Sequence, residues 1–179
     1  MIIEVVGILV LTVVLIFFLT VVYAFFFLAP WVPTPKKDLE RINRLADLKS
    51  GDVFYEIGCG TAIVSTFIAR KNPEVRVVGI ELVFPLYLFA EIKRLVFGPK
   101  NLSIKFGDAF SKSYTDADVV YVYGLPRMVN GKLKEKIEDE FKSGARLVSL
   151  AFVVDNWKGK CSFTDKPTPK DVSVNVYIK

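Results

Sequence analysis

The segment Tyr55-Glu56-Ile57-Gly58-Cys59-Gly60-Thr61 places a carboxylate, two glycines and a hydroxyl close together, and Glu81 follows 21 positions after Gly60. Glycines two apart let a chain turn sharply and bring backbone amides up to a ligand, and an acid at this later spacing is placed to meet a ribose. The chemistry implied is recognition of a nucleoside. A dinucleotide would need the turn to hold a pyrophosphate on bare amides, but Glu56 stands just before the turn and Ile63 occupies the third fingerprint position. A carboxylate repels phosphate and attracts the ammonium and sulfonium of S-adenosylmethionine, which carries no phosphate. In that reading Glu81 accepts from the ribose hydroxyls. Asp108, in Gly107-Asp108-Ala109, either accepts from the adenine amino group or caps the turn that follows it.

Composition narrows the rest. The chain has 179 residues, no histidine and only two cysteines, Cys59 and Cys161. Ser-His-Asp and Cys-His nucleophile systems are thereby excluded, as are zinc sites that use histidine or four cysteines, and no metal centre is expected.

The elements that must position these residues alternate in period. Strands are predicted over 52–57, 75–81, 101–106, 118–123 and 145–152, and helices over 61–70, 85–96 and 130–142. Thr34 as N-cap and Pro35 at the first helical position open an earlier helix that reaches about Leu48. Nearly continuous apolar strands between amphipathic helices indicate a parallel sheet covered on both faces, an α/β doubly wound architecture. The link from Gly107 to Ala117 is too short for a full crossover helix. Stretches 159–163 and 172–178 read as an antiparallel pair at the end.

Ahead of this domain, Val5–Ala29 is a run of 25 uncharged residues, about 37 Å long as a helix. It exceeds the apolar core of a signal peptide and lacks a basic leader, so residues 1–29 are expected to form an uncleaved single-pass transmembrane anchor. A proline-rich connector, 30–35, would place Trp31 at the membrane edge, and 36–179 would form the globular domain. Lys36, Lys37, Arg41 and Arg44 follow the span and no basic residue precedes it, which predicts N-out, C-in topology with a cytoplasmic domain. From Pro30 onward the charge is +6, suited to anionic headgroups, while no basic run with interleaved aromatics suggests nucleic acid.

Glu56-Ile57-Gly58-Cys59-Gly60-Thr61, Gly79-Ile80-Glu81-Leu82 and Gly107-Asp108-Ala109 together resemble the successive cofactor motifs of class I S-adenosylmethionine-dependent methyltransferases. Three further stretches narrow the likeness: residues 30–35 (PWVPTP), residues 118–128 (DVVYVYGLPRM), and residues 144–149 (GARLVS) with Phe152 and Trp157. They resemble a protein-lysine N-methyltransferase family. Its eukaryotic members are membrane-associated enzymes acting on the c subunit of mitochondrial ATP synthase and on the adenine nucleotide translocase, and it includes a small archaeal enzyme. The resemblance implies a Rossmann-like, mostly parallel seven-stranded sheet and S-adenosyl-L-methionine as cofactor. It implies cofactor contacts from Thr34, Glu56, Gly58, Cys59, Gly60, Thr61, Glu81, Leu82, Asp108, Ala109, Tyr123 and Gly124. The family usually carries Asp at the place of Glu56, and Gly-Asp-Gly-Arg where this chain has Gly60-Thr61-Ala62-Ile63. A threonine hydroxyl holds an ammonium less strongly than the missing acid would, so a weaker cofactor grip is expected.

The resemblance implies methyl transfer to the neutral amine of a protein lysine, with membrane or membrane-proximal proteins as partners. Residues 123–126 leave the C-terminal end of the fourth strand, the edge at which α/β sheets present ligands, so the acceptor channel is expected there. Tyr123 and Trp157 either flank the acceptor amine or serve as core or membrane-facing aromatics, and no general base is assigned. Two other functions stay open: methylation of a lipid or other membrane-soluble small molecule, and a binding protein that uses the fold without turnover.

Overall fold

The computed structural model describes residues 2–27, 32–124, 126–158 and 161–179. Trp31, Leu125 and the end of the expected anchor lie outside them. Helix α1 (Ile2–Phe27) comes first, and its stretch Ile2–Thr20 has a mean hydropathy of 3.1 with none of it buried. It is long and apolar enough to cross a membrane.

A 3₁₀ turn, Lys36–Asp38, leads into α2 (Leu39–Ala46), which stops where Asp47 turns left-handed. Then follow β1 (Val53–Ile57), α3 (Ile63–Lys71), β2 (Arg76–Glu81), α4 (Phe84–Phe97), β3 (Leu102–Phe106) and β4 (Val119–Val122). The link between β3 and β4 holds only a 3₁₀ turn, Ala109–Ser111, as its length predicts. A short helical turn α5 (Pro126–Met128), a π-type turn (Val129–Leu133) and α6 (Lys134–Glu140) precede β5 (Arg146–Leu150), β6 (Cys161–Asp165) and β7 (Val174–Ile178). The single helix expected over 130–142 is therefore shorter. Gly131 leaves helical geometry (φ −98°, ψ −136°), and regular helix resumes only at Lys134.

The seven strands form one sheet in the order β3-β2-β1-β4-β5-β7-β6. The first five are parallel to their neighbours, whereas β7 runs antiparallel to both β5 and β6. β1 lies in the middle of the five parallel strands, and its side chains alternate between two cores. Phe54 joins Ile42, Ile68, Val77 and Tyr121 on the face covered by α2, α3 and α4. Tyr55 and Ile57 join Val120, Leu133, Ile137 and Leu147 on the other. Phe54 is fully buried, and a side chain of this class contributes ~1.5–3 kcal/mol on leaving water. Because Glu56 follows the Phe54 face, a carboxylate sits at the end of an otherwise apolar row. That row ends at the C-terminal edge of the sheet, where the strand order reverses direction and α/β folds bind ligands.

Candidate cofactor and acceptor site

β1 ends in a turn whose backbone is left-handed at Gly58 (φ 68°), Gly60 (φ 54°) and Ala62 (φ 54°). Glycine adopts that region without the cost that a Cβ imposes, which is why the two glycines recur here. The turn is tied down from β2. Cys59 N donates to Ile80 O at 3.0 Å, and Gly60 N donates to Glu81 Oε2 at 2.7 Å. The second Glu81 oxygen accepts from Val83 N at 2.7 Å, so one carboxylate joins the glycine turn to the start of α4. The Cys59 side chain packs inward over Gly79, where an added Cβ would come within 2.9 Å of Sγ. Cys59 thus brings its backbone to the site and its thiol to the core, and burial pushes that thiol well above its usual pKa.

Glu56 is only 4% exposed. Ser65, in the first turn of α3, donates both its amide (2.7 Å) and its hydroxyl to Glu56 Oε2. Burial pushes the Glu56 carboxyl up to about 8, the two Ser65 bonds oppose that rise, and the nearby Glu81 charge adds to it. Burial likewise raises Glu81, against the pull of its backbone amides. Two carboxylates in one low-dielectric corner lower their cost by binding a cation.

Beside this corner lies a small cleft open to solvent. Its floor is Glu56, Ile57, Gly58, Cys59 and Thr61; Ile63 and Val64 of α3 form one wall, and Tyr121 of β4 with Tyr123 just beyond it another. The segment Val32-Pro33-Thr34 closes the side above Tyr121. Thr34 corrects its expected role as N-cap: no side chain caps the turn at Lys36, and Thr34 Oγ1 instead shares a buried 2.9 Å hydrogen bond with Tyr121 Oη. The helix is preceded by Pro35, whose fixed φ sets up the turn without a cap.

Six of the expected residues therefore meet at the cleft: Thr34, Glu56, Gly58, Cys59, Thr61 and Tyr123. Gly60 and Glu81 hold the turn from behind. Leu82, Asp108, Ala109 and Gly124 do not line it, and Asp108 is exposed, accepting from Phe110 N at 2.9 Å as the cap of its own turn. Trp157 is placed elsewhere: it packs on Phe141 and Tyr177 and donates to Ile178 O at 3.2 Å, on the opposite face of the sheet from Tyr121. Sequence reasoning missed Ser65, Val32, Pro33 and Lys93. Ser65 lies nine residues beyond Glu56, a separation that a strand, a turn and one helical turn convert into contact. Lys93 reaches Thr61 O at 3.1 Å from α4, and nothing local in the sequence signals it.

The residues fit a cationic nucleoside. Gly58 faces open space where a Cβ would stand, and Glu56 lies in the cleft floor beside it, with Glu81 behind the turn. The sheet order and this site define a class I S-adenosylmethionine-dependent methyltransferase. Residues 56–161 match the ANTKMT methyltransferase domain, and the chain belongs to that family. A protein-lysine N-methyltransferase of Saccharolobus islandicus (strain REY15A) is 34% identical over 134 residues, covering 73% of this chain and 81% of that protein. Among solved structures, an RNA methyltransferase from Salinibacter ruber in complex with S-adenosyl-L-homocysteine aligns with a TM-score of 0.71 at 27% identity, over 82% of this chain and 93% of that one. The precorrin-6Y C5,15-methyltransferase of Geobacter metallireducens shares the fold, with a TM-score of 0.66 at 18% identity over 82% of this chain and 90% of that one.

Proposed function

We propose that the protein transfers methyl groups to lysine side chains of membrane or membrane-proximal proteins, tethered to the bilayer by α1. The observation that carries the reading is the buried Glu56–Glu81 corner beneath the glycine turn, in a chain one-third identical to a protein-lysine N-methyltransferase. S-adenosylmethionine, when bound, supplies an electrophilic methyl group on a sulfonium. Glu56 holds the ammonium of the methionine end. Glu81 serves the ribose through lone pairs that its two amide partners leave free, and Thr61 adds a hydroxyl.

The acceptor enters beside Tyr123, which lines the cleft at the end of β4. A lysine amine has an ordinary pKa of about 10.4 and must lose its proton to become nucleophilic; a desolvated approach next to a cationic ligand lowers that cost. The proton leaves to solvent, and no residue of the chain is assigned to take it. Holding donor and acceptor in line supplies the larger part of the rate. Leu82, Asp108, Ala109 and Gly124 are proposed to border the adenosine half once it is bound.

In this reading residues 1–29 are the anchor, 30–35 the connector and 36–179 the catalytic domain, with the N-terminus outside and the domain in the cytoplasm. The support is the bilayer-length apolar helix α1 followed by Lys36, Lys37, Arg41 and Arg44. The test is transfer of radiolabelled methyl groups from S-adenosylmethionine by the purified protein to membranes and cytosol from cells lacking it. Label recovered as methyl-lysine in membrane protein is expected; label confined to the lipid extract, or no label from a folded protein, overturns the lysine assignment.

A further inference from the structure

α4 is apolar on the side that faces water. Of its 14 residues only Ala90 is buried, while Phe84, Leu88, Phe89, Ile92, Leu95 and Val96 are between 44% and 67% exposed. At 3.6 residues per turn these six share one sector about 140° wide, opposite Ala90. Phe106, at the end of β3, extends the patch, its ring 5.5 Å from that of Phe84 and edge-on to it. Contiguous apolar surface of this kind marks a contact with something other than water. Beside it stand Lys93 on α4, whose ammonium reaches Thr61 O, Arg70 at the end of α3, which donates to Phe97 O, and the exposed Lys100 and Lys105 before and within β3; on the same wheel Glu91 borders the sector at Phe84 and Arg94 lies toward Ala90. Glu91, the acid on α4, is held by Arg94 at 2.6 Å.

We propose that this face of α4 lies flat in the headgroup region of the bilayer that α1 spans, so that the domain touches the membrane at two places. The inference rests on reading α1 as a membrane anchor. A helix of 14 residues is about 21 Å long, too short to cross a bilayer, and an exposed apolar sector with lysines near its border is the pattern of an in-plane interfacial helix. These lysines match anionic headgroups. Residues 2–19 of α1 are themselves exposed, so none of them covers α4. Through Lys93, which bonds Thr61 O, the seated helix also touches the glycine turn. The contact therefore fixes the cofactor site at the height of the membrane surface, where lysines of embedded proteins emerge.

The test uses the full chain in phosphatidylcholine vesicles with and without phosphatidylglycerol. An environment-sensitive fluorophore is attached through Ile92→Cys in a Cys161→Ser background, where the buried Cys59 is protected, with the exposed Glu135→Cys on α6 as the control position. The expected result is a blue shift of the probe at 92 and its quenching by headgroup-level nitroxide lipid, stronger with phosphatidylglycerol, and neither effect at 135. Water-like emission at 92 in a protein that resists carbonate extraction overturns the α4 contact and leaves the anchor standing. Release of the protein by carbonate overturns the anchor, and lipid quenching at 92 then keeps the α4 contact. A blue shift without lipid quenching, whether or not it follows protein concentration, means that a second copy or α1 covers the face and overturns the proposal. Leu88→Ser with Ile92→Ser is expected to abolish the lipid contact and to lower methylation of embedded acceptors severalfold while sparing a soluble lysine peptide; equal loss on both substrates overturns it.

Discussion

Ser65 gives both of its donors, the backbone amide and the hydroxyl, to a single oxygen of Glu56. The carboxylate is thereby oriented from one side only, with the cleft floor on the other. Two bonds to the same oxygen do not compensate for removal from water, and the Glu56 carboxyl is pushed up to about 8. At neutral pH the empty site is mostly protonated there, and a cationic ligand must displace that proton.

Cofactor binding is therefore expected to release a proton, and its affinity to rise by up to about tenfold per unit between pH 6 and 8. Isothermal titration in two buffers of different ionisation enthalpy measures the release directly. Heats that do not depend on the buffer, with affinity flat across this range, would remove Glu56 from the cation site.

The sign for stability is opposite. A carboxyl whose folded pKa lies above its unfolded value of about 4.3 contributes stability below that value, and the contribution is lost as pH rises through about 8. Glu56→Gln keeps an acceptor for Ser65 and removes the charge. It should melt at or above the parent temperature at pH 8.5, lose any advantage at pH 5, and bind the cofactor at least about tenfold more weakly. Thermal scans at the two pH values, with one titration, check all three.

Gly58 sits at φ 68° with open space before it. Gly58→Arg adds backbone strain of about 1 kcal/mol and a cationic side chain facing a cationic ligand. Cofactor affinity should fall by roughly a hundredfold or more with the fold retained, as read by titration alongside circular dichroism.

Glu81→Ala removes the acceptor shared by the amides of Gly60 and Val83 as well as the proposed ribose contact. Charge-assisted hydrogen bonds of this kind are worth about 1.5–3 kcal/mol, so binding should weaken about tenfold to a hundredfold. Faster amide exchange at Gly60 and Val83 would show the turn coming loose; protection unchanged from the parent would argue against Glu81 as its tie.

Thr34→Val removes the buried partner of the Tyr121 hydroxyl without changing the volume much. A stranded buried hydroxyl costs about 1–3 kcal/mol, which a urea titration would resolve, and Thr34→Ser should recover most of it.

The parts of this arrangement written over short distances along the chain were legible. Glu56, Gly58, Gly60 and Glu81 form a strand-turn-helix-strand unit whose spacing is itself the signal, and alternating apolar strands gave the sheet its parallel half. The spacing of Leu133, Ile137 and Phe141 suggested one uninterrupted helix, yet a single glycine at 131 interrupts it while leaving that apolar face intact. Asp108 offered two uses, and the local one, capping its own turn, is the one observed. Contacts across layers were out of reach. Nothing near Thr34 points to Tyr121, 87 residues away, and nothing near Trp157 says that its indole will turn to Ile178 and away from the acceptor side.

The position of β7 has a consequence for how the protein is made. It enters the sheet between β5 and β6, although it comes after both in the chain, and it is the strand that hydrogen-bonds to each. While the ribosome is still at work, β5 lacks its outer neighbour and β6 has nothing to pair with, so this half of the sheet closes only after Ile178 has emerged. α1 is synthesised far earlier, so this apolar helix is complete before the domain that follows it can assemble.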